Sequence, residues 1–304
     1  MTKPRSQADK LLAADETVEE VIWLERAPGR HDGPTGLWRL ARLLRAGRFQ
    51  RVWVLHGSAR LALACCLAGI PERIGFGLGW QRRFLTQGPV LPAKMSRAHT
   101  IEKADRLLAL HGVAVAEDRP RLPVTAAERL AATARLADVP KPWVSLGIGS
   151  SEPFKQWGEG NFLRLAVHIA AGRAAAGLPP AGFVVVGGPA ERAMGESLVA
   201  QLRERGIAVL PALALPLREA ISLAAAADVY VGNDTGFLNI AAAVGTPALG
   251  LFGGSPPLRN SALIHALLPE RPEQGMQGIR PETVAAHLVK LLSNPPAARQ
   301  DRVL

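Results

Sequence analysis

Cysteine is almost absent from this 304-residue chain: Cys65 and Cys66 are the only two, and they are adjacent. Neighbouring cysteines rarely bridge one another, so there is no disulfide framework, and a reducing compartment fits. No His or Cys stands at ligand spacing from the pair, which makes them buried structural thiols and leaves no metal site. Long apolar runs are missing too. The longest uncharged one, residues 61–70, is too short to span a bilayer. The N-terminal MTKPRSQADK lacks the apolar core of a signal peptide. A soluble, cytoplasmic protein is expected, with peripheral membrane contact left open. Several enzyme signatures are absent as well. No G-x-G-x-x-G follows a strand, which disfavours a nicotinamide enzyme, and there is no Walker-type lysine loop, H-E-x-x-H or G-x-S-x-G.

What the chain does have is excess positive charge: 36 Lys+Arg against 26 Asp+Glu, a net +10. That balance favours anionic partners such as nucleic acid, phosphorylated sugars or an acidic membrane surface. Many arginines are spread singly through helical stretches, where a solvated face accounts for them. With 48% hydrophobic residues and a usual domain size of roughly 150 residues, two cores are expected.

The first half reads as a short polar helix (6–17), a strand (18–24, VEEVIWL) and a Pro- and Gly-rich loop (27–36). An amphipathic helix (37–46), a buried strand (52–56) and a helix N-capped by Ser58 and running to Leu67 come next. A strand at 73–76, an irregular basic stretch at 81–92 and helices at 97–111 and 126–137 complete it. Two prolines within 137–142 mark the boundary, giving domains at 1–137 and 143–280 and a last helix and tail at 281–304. The second half alternates apolar strands (144–148, 183–186, 208–210, 229–231, 248–252) with helices (160–176, 190–205, 217–226, 237–244). Strands buried on both faces and separated by helices mean a parallel, doubly wound α/β sheet. Its ligands lie beyond the carboxyl ends of the strands, where the polar and glycine-rich turns fall.

Those turns suit a nucleotide diphosphate. Ser150 and Ser151 offer hydroxyls and N–H groups at a strand end, or simply cap the next helix; Lys155 is a point charge within reach, or a solvated lysine. Glu191, after Gly187-Gly188-Pro189, either accepts ribose hydroxyls or sits solvated in a first helical turn. Asp234, Thr235 and Gly236 precede a helix whose N-terminus would face an anion, or they cap that helix.

In order and spacing these motifs resemble glycosyltransferase family 9. G-x-S leads to K-x-W (Lys155-Gln156-Trp157), then to VVVGGPAE, then to D-T-G-x-x-N-x-A-A-A-x-G-T-P-x-x-x-L-F-G. LHGSARLALACCLAGIPERIGF and HTIEKADRLLALHGV extend the likeness through the first half. The resemblance implies a GT-B fold, two Rossmann-like domains facing a cleft, in a heptosyltransferase that moves heptose from ADP-heptose to a lipopolysaccharide core acceptor. Transfer would be inverting and independent of metal or cofactor, beside the inner membrane. By the same resemblance Ser150, Ser151 and Lys155 hold the donor phosphates and Glu191 the ribose. Asp234, Thr235 and Gly236 hold the sugar and diphosphate.

Two departures stand out. The family usually has histidine where this chain has Asn239, which can donate a hydrogen bond to phosphate but carries no charge. Family members also begin with an apolar strand and a G-D turn whose aspartate is the general base. Here Met1 falls after both, so the expectation is a start codon placed too late, with the first domain incomplete and no catalytic base to name. Arg82, Arg83, His99 and Lys103 could face an anionic acceptor, or could equally be solvated surface. A nucleotide-sugar-binding relative without transferase activity is the alternative; a nucleic-acid-binding protein has no motif in its favour.

Overall fold

The computed structural model describes residues 7–25, 29–86, 88–114, 120–150, 152–257 and 261–293. The chain divides into two compact units, one from Met1–Asp9 and Glu19–Asp118, the other from Lys10–Val18 and Arg119–Leu304. Helix α1 (Ala8–Leu11) is only four residues long, shorter than the polar helix predicted.

The smaller unit contains α2 (Gly33–Ala46), β1 (Arg51–Val54), α3 (Ala59–Leu67), β2 (Glu72–Gly75) and α4 (Thr100–Leu110), with 3-10 turns at Gly79–Phe84 and Ala93–Arg97. β1 and β2 are parallel, with Arg51 opposite Glu72 and Val54 opposite Gly75. Leu40 and Leu44, one turn apart on α2, are buried against Ala64, Cys65 and Ala68 of α3 and its end. Burial pushes the Cys65 thiol up to about 11, so it stays protonated and inert, as a structural thiol should. One local expectation holds in position and another fails. Ser58 does hold the N-cap position of α3 but makes no side-chain cap bond, and its N–H donates to His56 Nδ1 at 3.1 Å. Residues 18–24 form no strand; only Trp23 makes a bridge and only Leu24 is buried. Among the described residues the sheet of this unit is just β1 and β2, so most of that segment has no ladder to join.

The larger unit is a six-stranded, all-parallel sheet of β3 (Trp143–Gly147), β4 (Gly182–Gly187), β5 (Val209–Leu213), β6 (Val229–Asn233), β7 (Ala248–Leu251) and β8 (Ile264–Leu267). The helices are α5 (Ala126–Arg135), α6 (Glu159–Ala175), α7 (Arg192–Glu204), α8 (Leu217–Ala226), α9 (Gly236–Ala243) and α10 (Pro281–Ser293). Strands run in the order β5-β4-β3-β6-β7-β8. Chain direction across the sheet therefore reverses between β3 and β6, the crevice where doubly wound folds bind ligands. β3, β6 and β7 are buried at every residue, which is why each reads as a mostly apolar run, with Ser145 and Asn233 its buried polar members. β8 escaped the sequence reading because His265 interrupts it. Gly250 lets α9 approach: a Cβ there would lie 2.6 Å from Leu238 and 2.5 Å from Phe252.

Helix α5, placed by sequence in the first domain, packs in this unit. Ala132 and Leu136 are buried with Leu223 of α8 in one apolar cluster. Beside it Arg218 donates from Nε and Nη2 to the two oxygens of Glu128, at 2.7 and 2.5 Å, and Glu128 also closes the capping box on Thr125. Hydrogen bonds from Arg218 hold the Glu128 carboxyl down at about 2 against its ordinary 4.5. A depressed carboxyl stabilises the fold above the unfolded value and loses that contribution as pH falls toward the folded one. Denaturant melts at about pH 6 and about pH 3 should therefore show a smaller acid-induced loss of stability in Glu128→Gln than in the wild type.

Candidate functional site

Two strand ends meet at the switch point: β3 runs out through Ile148-Gly149-Ser150, and β6 passes through Asp234-Thr235 into α9. One buried amide ties them together. Asn233 is fully buried; its Nδ2 donates to the carbonyls of Ile148 and Gly149, both at 3.1 Å. Its Oδ1 accepts from the Trp157 N–H at 3.1 Å, and Trp157 is itself buried and anchored by Nε1 to the Ile279 carbonyl at 2.8 Å. A side chain with two donors and an acceptor can thus tie two other segments, the β3 exit and the Trp157 turn, to β6 at once.

Lys155 ends the 3-10 turn Pro153–Lys155 that this arrangement fixes. Its ammonium lies 2.8 Å from Glu152 Oε2 and 3.2 Å from Asp234 Oδ2, and Ser255 Oγ donates to that same Asp234 oxygen at 2.5 Å. Bonding to Glu152, and next to Asp234, holds Lys155 above the usual lysine range, so it is a permanent cation. Side-chain exposure is 20% for Lys155 and 15% for Asp234, open enough for a phosphate oxygen to replace a carboxylate partner. Gly254 shapes this wall: a Cβ there would lie 2.6 Å from the Phe154 ring, so only glycine lets 253–255 close on the Lys155 turn.

The other sequence-derived residues divide. Thr235 is the N-cap of α9 without a side-chain cap bond, and Gly236 begins the helix exposed; the Leu238 N–H donates to the Thr235 carbonyl at 3.2 Å, so it is the N–H groups of Gly236 and Phe237 that can face a ligand. Glu191 Oε2 accepts from the Gly188 N–H at 3.0 Å, and a Cβ on Gly149 would be 3.5 Å from the same oxygen. Glu191 therefore borders the β3 exit. Ser150 turns its hydroxyl into its own loop, accepting from the Glu152 N–H at 3.2 Å and donating to the Glu152 carbonyl at 3.0 Å. Asn239 Nδ2 donates to the Thr235 carbonyl at 3.3 Å. Ser151 lies outside the described residues. Glu152, Asn233 and Ser255 were not named as site residues from the sequence; the i, i+3 spacing of Glu152 and Lys155 is the one signal that could have found a pair.

Arg82, Arg83, His99 and Lys103, the residues expected from sequence to face an acceptor, all belong to the smaller unit. Arg82 and Arg83 are exposed on the 3-10 turn Gly79–Phe84, with the Arg83 guanidinium 4.1 Å over the Trp80 ring. Gln81 between them is fully buried and fixes the turn, donating to the His56 carbonyl at 2.6 Å and accepting from the Gly77 N–H at 2.8 Å. His99 caps α4 by accepting from the Ile101 N–H at 3.4 Å, and Lys103 is one turn further on, half-buried.

The crevice is also close-packed from below. A Cβ on Gly147 would lie 1.8 Å from the Tyr230 hydroxyl. Gly147→Ala should cost about 1–3 kcal/mol by overpacking. Gly160→Ala, on α6 with open space around the added carbon, should be neutral or stabilising by up to about 1 kcal/mol. Chemical denaturation of the two variants side by side checks both.

Comparison with known proteins agrees with this architecture. The chain is 27% identical over 257 residues to lipopolysaccharide heptosyltransferase 2 of Salmonella typhimurium strain LT2, covering 76% of this chain and 68% of that protein. Among solved structures, a glycosyl transferase of family 9 from Veillonella parvula superposes with a TM-score of 0.73 at 19% identity, over 95% of this chain and 86% of that one. The ADP-heptose lps heptosyltransferase II of E. coli gives 0.71 at 22% identity, over 96% and 88%. Those likenesses show the fold, the GT-B architecture. The sequence model of glycosyltransferase family 9 (heptosyltransferase) matches residues 37–269, most of the chain. Fold, motif order and family match converge: the chain belongs to glycosyltransferase family 9 and is a glycosyltransferase.

Proposed function

We propose that this glycosyltransferase transfers a heptose from ADP-heptose to an anionic lipopolysaccharide core acceptor, with inversion and without a metal. The observation that carries the reading is the Lys155 cation, poised between Glu152 and Asp234 at the switch point, beside an α9 N-terminus that its own threonine does not cap. In the reaction an acceptor hydroxyl oxygen bonds to the anomeric carbon and gives up its proton to water, the bond from that carbon to the diphosphate breaks, and ADP leaves with the electron pair. Negative charge grows on the leaving diphosphate. Lys155 and the Gly236 and Phe237 N–H groups of α9 face that charge from fixed positions, a stabilisation that strengthens toward the transition state. Glu191 takes the ribose hydroxyls, while Ser150, Ser151, Asp234, Thr235 and Asn239 complete the donor pocket. Arg82, Arg83, His99 and Lys103 are assigned to phosphate or carboxylate groups of the acceptor. An enzyme with +10 charge suits work at an anionic membrane surface, and a cytoplasmic, peripheral location follows from the acceptor. Among the described residues no helix is long and apolar enough to cross a membrane.

The test is transfer from ADP-heptose to a heptose-deficient core lipid, with and without a chelator. Product with an inverted anomeric centre, formed equally in both, is the expected result. Binding of ADP-heptose with no transfer would instead support a non-catalytic nucleotide-sugar-binding relative.

A further inference from the structure

Between Gly33 and Pro71 the chain carries six arginines and no aspartate or glutamate. Three of the six serve the fold. Arg45 donates to the Leu67 and Ala68 carbonyls at 2.7 and 3.3 Å, and Arg60 to those of His31 and Gly33 at 3.0 and 2.6 Å. Arg51 pairs with Glu72. Arg39, Arg42 and Arg48 make no ion pair and no side-chain hydrogen bond among the described residues. An unpaired surface arginine is ordinary by itself; what sets Arg39 and Arg42 apart is their neighbours on α2.

The buried stripe of α2 holds Leu40, Ala41 and Leu44. On the other side Trp38, Arg39, Arg42 and Leu43 are all exposed, and at about 100° per residue they share an arc of about 140°. Trp38 and Arg42 stand one turn apart, as do Arg39 and Leu43, so each cation lies beside an apolar side chain. Trp38 is 59% exposed and Leu43 43%. The Trp80 ring is exposed as well, but it lies beneath the Arg83 guanidinium. No described residue stacks on Trp38 or takes a hydrogen bond from its indole. A bilayer interface suits all these groups together: indole at headgroup level, leucine against the acyl boundary and guanidinium on lipid phosphate. Nucleic acid would use the arginines and leave Leu43 in water.

We propose that the outward face of α2, built on Trp38, Arg39, Arg42 and Leu43, docks the protein on a bilayer surface rich in anionic phospholipid. The helix lies in the plane of the interface, held from behind by Leu40 and Leu44 packed on α3, and Arg48 just past its end adds a further exposed charge. This gives the anionic membrane of the proposed function a named surface. It rests on that reading for its purpose, while its evidence is α2 alone.

Sedimentation of the full chain with vesicles tests it, comparing phosphatidylcholine alone with an equal mixture of phosphatidylcholine and phosphatidylglycerol at fixed salt. The variants are Trp38→Ala, the pair Arg39→Gln and Arg42→Gln, and a charge control, the pair Arg129→Gln and Arg203→Gln in the larger unit. Every substituted side chain is exposed, so thermal melts should match wild type. Wild type should bind the mixed vesicles and stay in the supernatant with phosphatidylcholine alone. Loss of Arg39 and Arg42 should weaken binding about 25-fold, about fivefold for each charge near the surface. Trp38→Ala should weaken it about tenfold, and the control at most about twofold. Wild type that ignores the mixed vesicles overturns the proposal, as does unchanged binding in the α2 variants. A loss in the control as large as in the α2 pair means diffuse attraction to net charge and overturns it too. If the α2 variants instead lower the molecular mass at sedimentation equilibrium, the face joins two copies of the chain and the membrane role falls. Sugar transfer to a detergent-dispersed acceptor separates this proposal from the proposed function. Vesicle binding in the predicted pattern by a chain that transfers nothing upholds the α2 surface and overturns only its link to the acceptor.

Discussion

Lys155→Ala is expected to lower kcat/KM for sugar transfer by about a hundredfold or more, the scale of losing one preorganised charge at a reacting centre. The loss should lie mainly in kcat, because charge on the diphosphate is greatest as the bond to the anomeric carbon breaks. ADP binding should weaken as well. Removing the cation also leaves Glu152 and Asp234, its partners at 2.8 and 3.2 Å, facing an incoming polyanion with nothing between. Lys155→Met, which keeps the length and removes the charge, should behave like alanine. Lys155→Arg should recover only part of the rate, since a planar fork does not reproduce a point charge. Steady-state kinetics across the three variants checks this: a preserved kcat in Lys155→Met would remove Lys155 from the chemistry.

The largest effect on stability is expected at Asn233, not at any apolar core position in the crevice. Asn233→Ala deletes three buried hydrogen bonds and strands the Trp157 N–H and the carbonyls of Ile148 and Gly149. Each buried orphan costs about 1–3 kcal/mol, partly relieved where a water can enter. A total loss of about 3 kcal/mol or more is predicted from denaturant unfolding. Asn233→Asp should do comparable damage despite its shape, because a carboxylate cannot donate to two carbonyls. The substitution should also scatter the donor residues, since the Lys155 turn and the α9 N-terminus are held to one another through this side chain. A well-folded Asn233→Ala of native stability would show that the turns are fixed by something else.

Much of the larger unit was legible in the sequence because of where its strands lie. Trp143–Gly147, Val229–Asn233 and Ala248–Leu251 are buried on both faces, so they read as apolar runs between helical patterns, which is the signal of a parallel sheet. The strand order was not legible, since nothing local in a strand states which neighbour it pairs with. The crevice between β3 and β6 emerged only from the observed crossovers. The proline pair near 140 is a real break between α5 and β3, but a break says nothing about which core a helix joins. Ala132 and Leu136 pack with Leu223, a contact almost ninety residues away in the chain. Residues 18–24 failed for the complementary reason: β-forming composition makes a strand only where a ladder is available.

Site legibility followed the same logic. Lys155, Asp234, Thr235 and Gly236 stood out as candidates because phosphate chemistry asks for a cation and a helix N-terminus, both visible as residue types beside turns. Asn233 was passed over because asparagine next to aspartate and glycine is an ordinary turn former. Its burial and three partners are tertiary facts.

A crystal structure of the chain with ADP bound tests the central claim most directly. It should place the diphosphate between the Lys155 ammonium and the N–H groups at the start of α9, with the ribose hydroxyls on Glu191 and the Asn233 bonds unchanged. ADP bound elsewhere on the chain, with Lys155 still held by both Glu152 and Asp234, would contradict it.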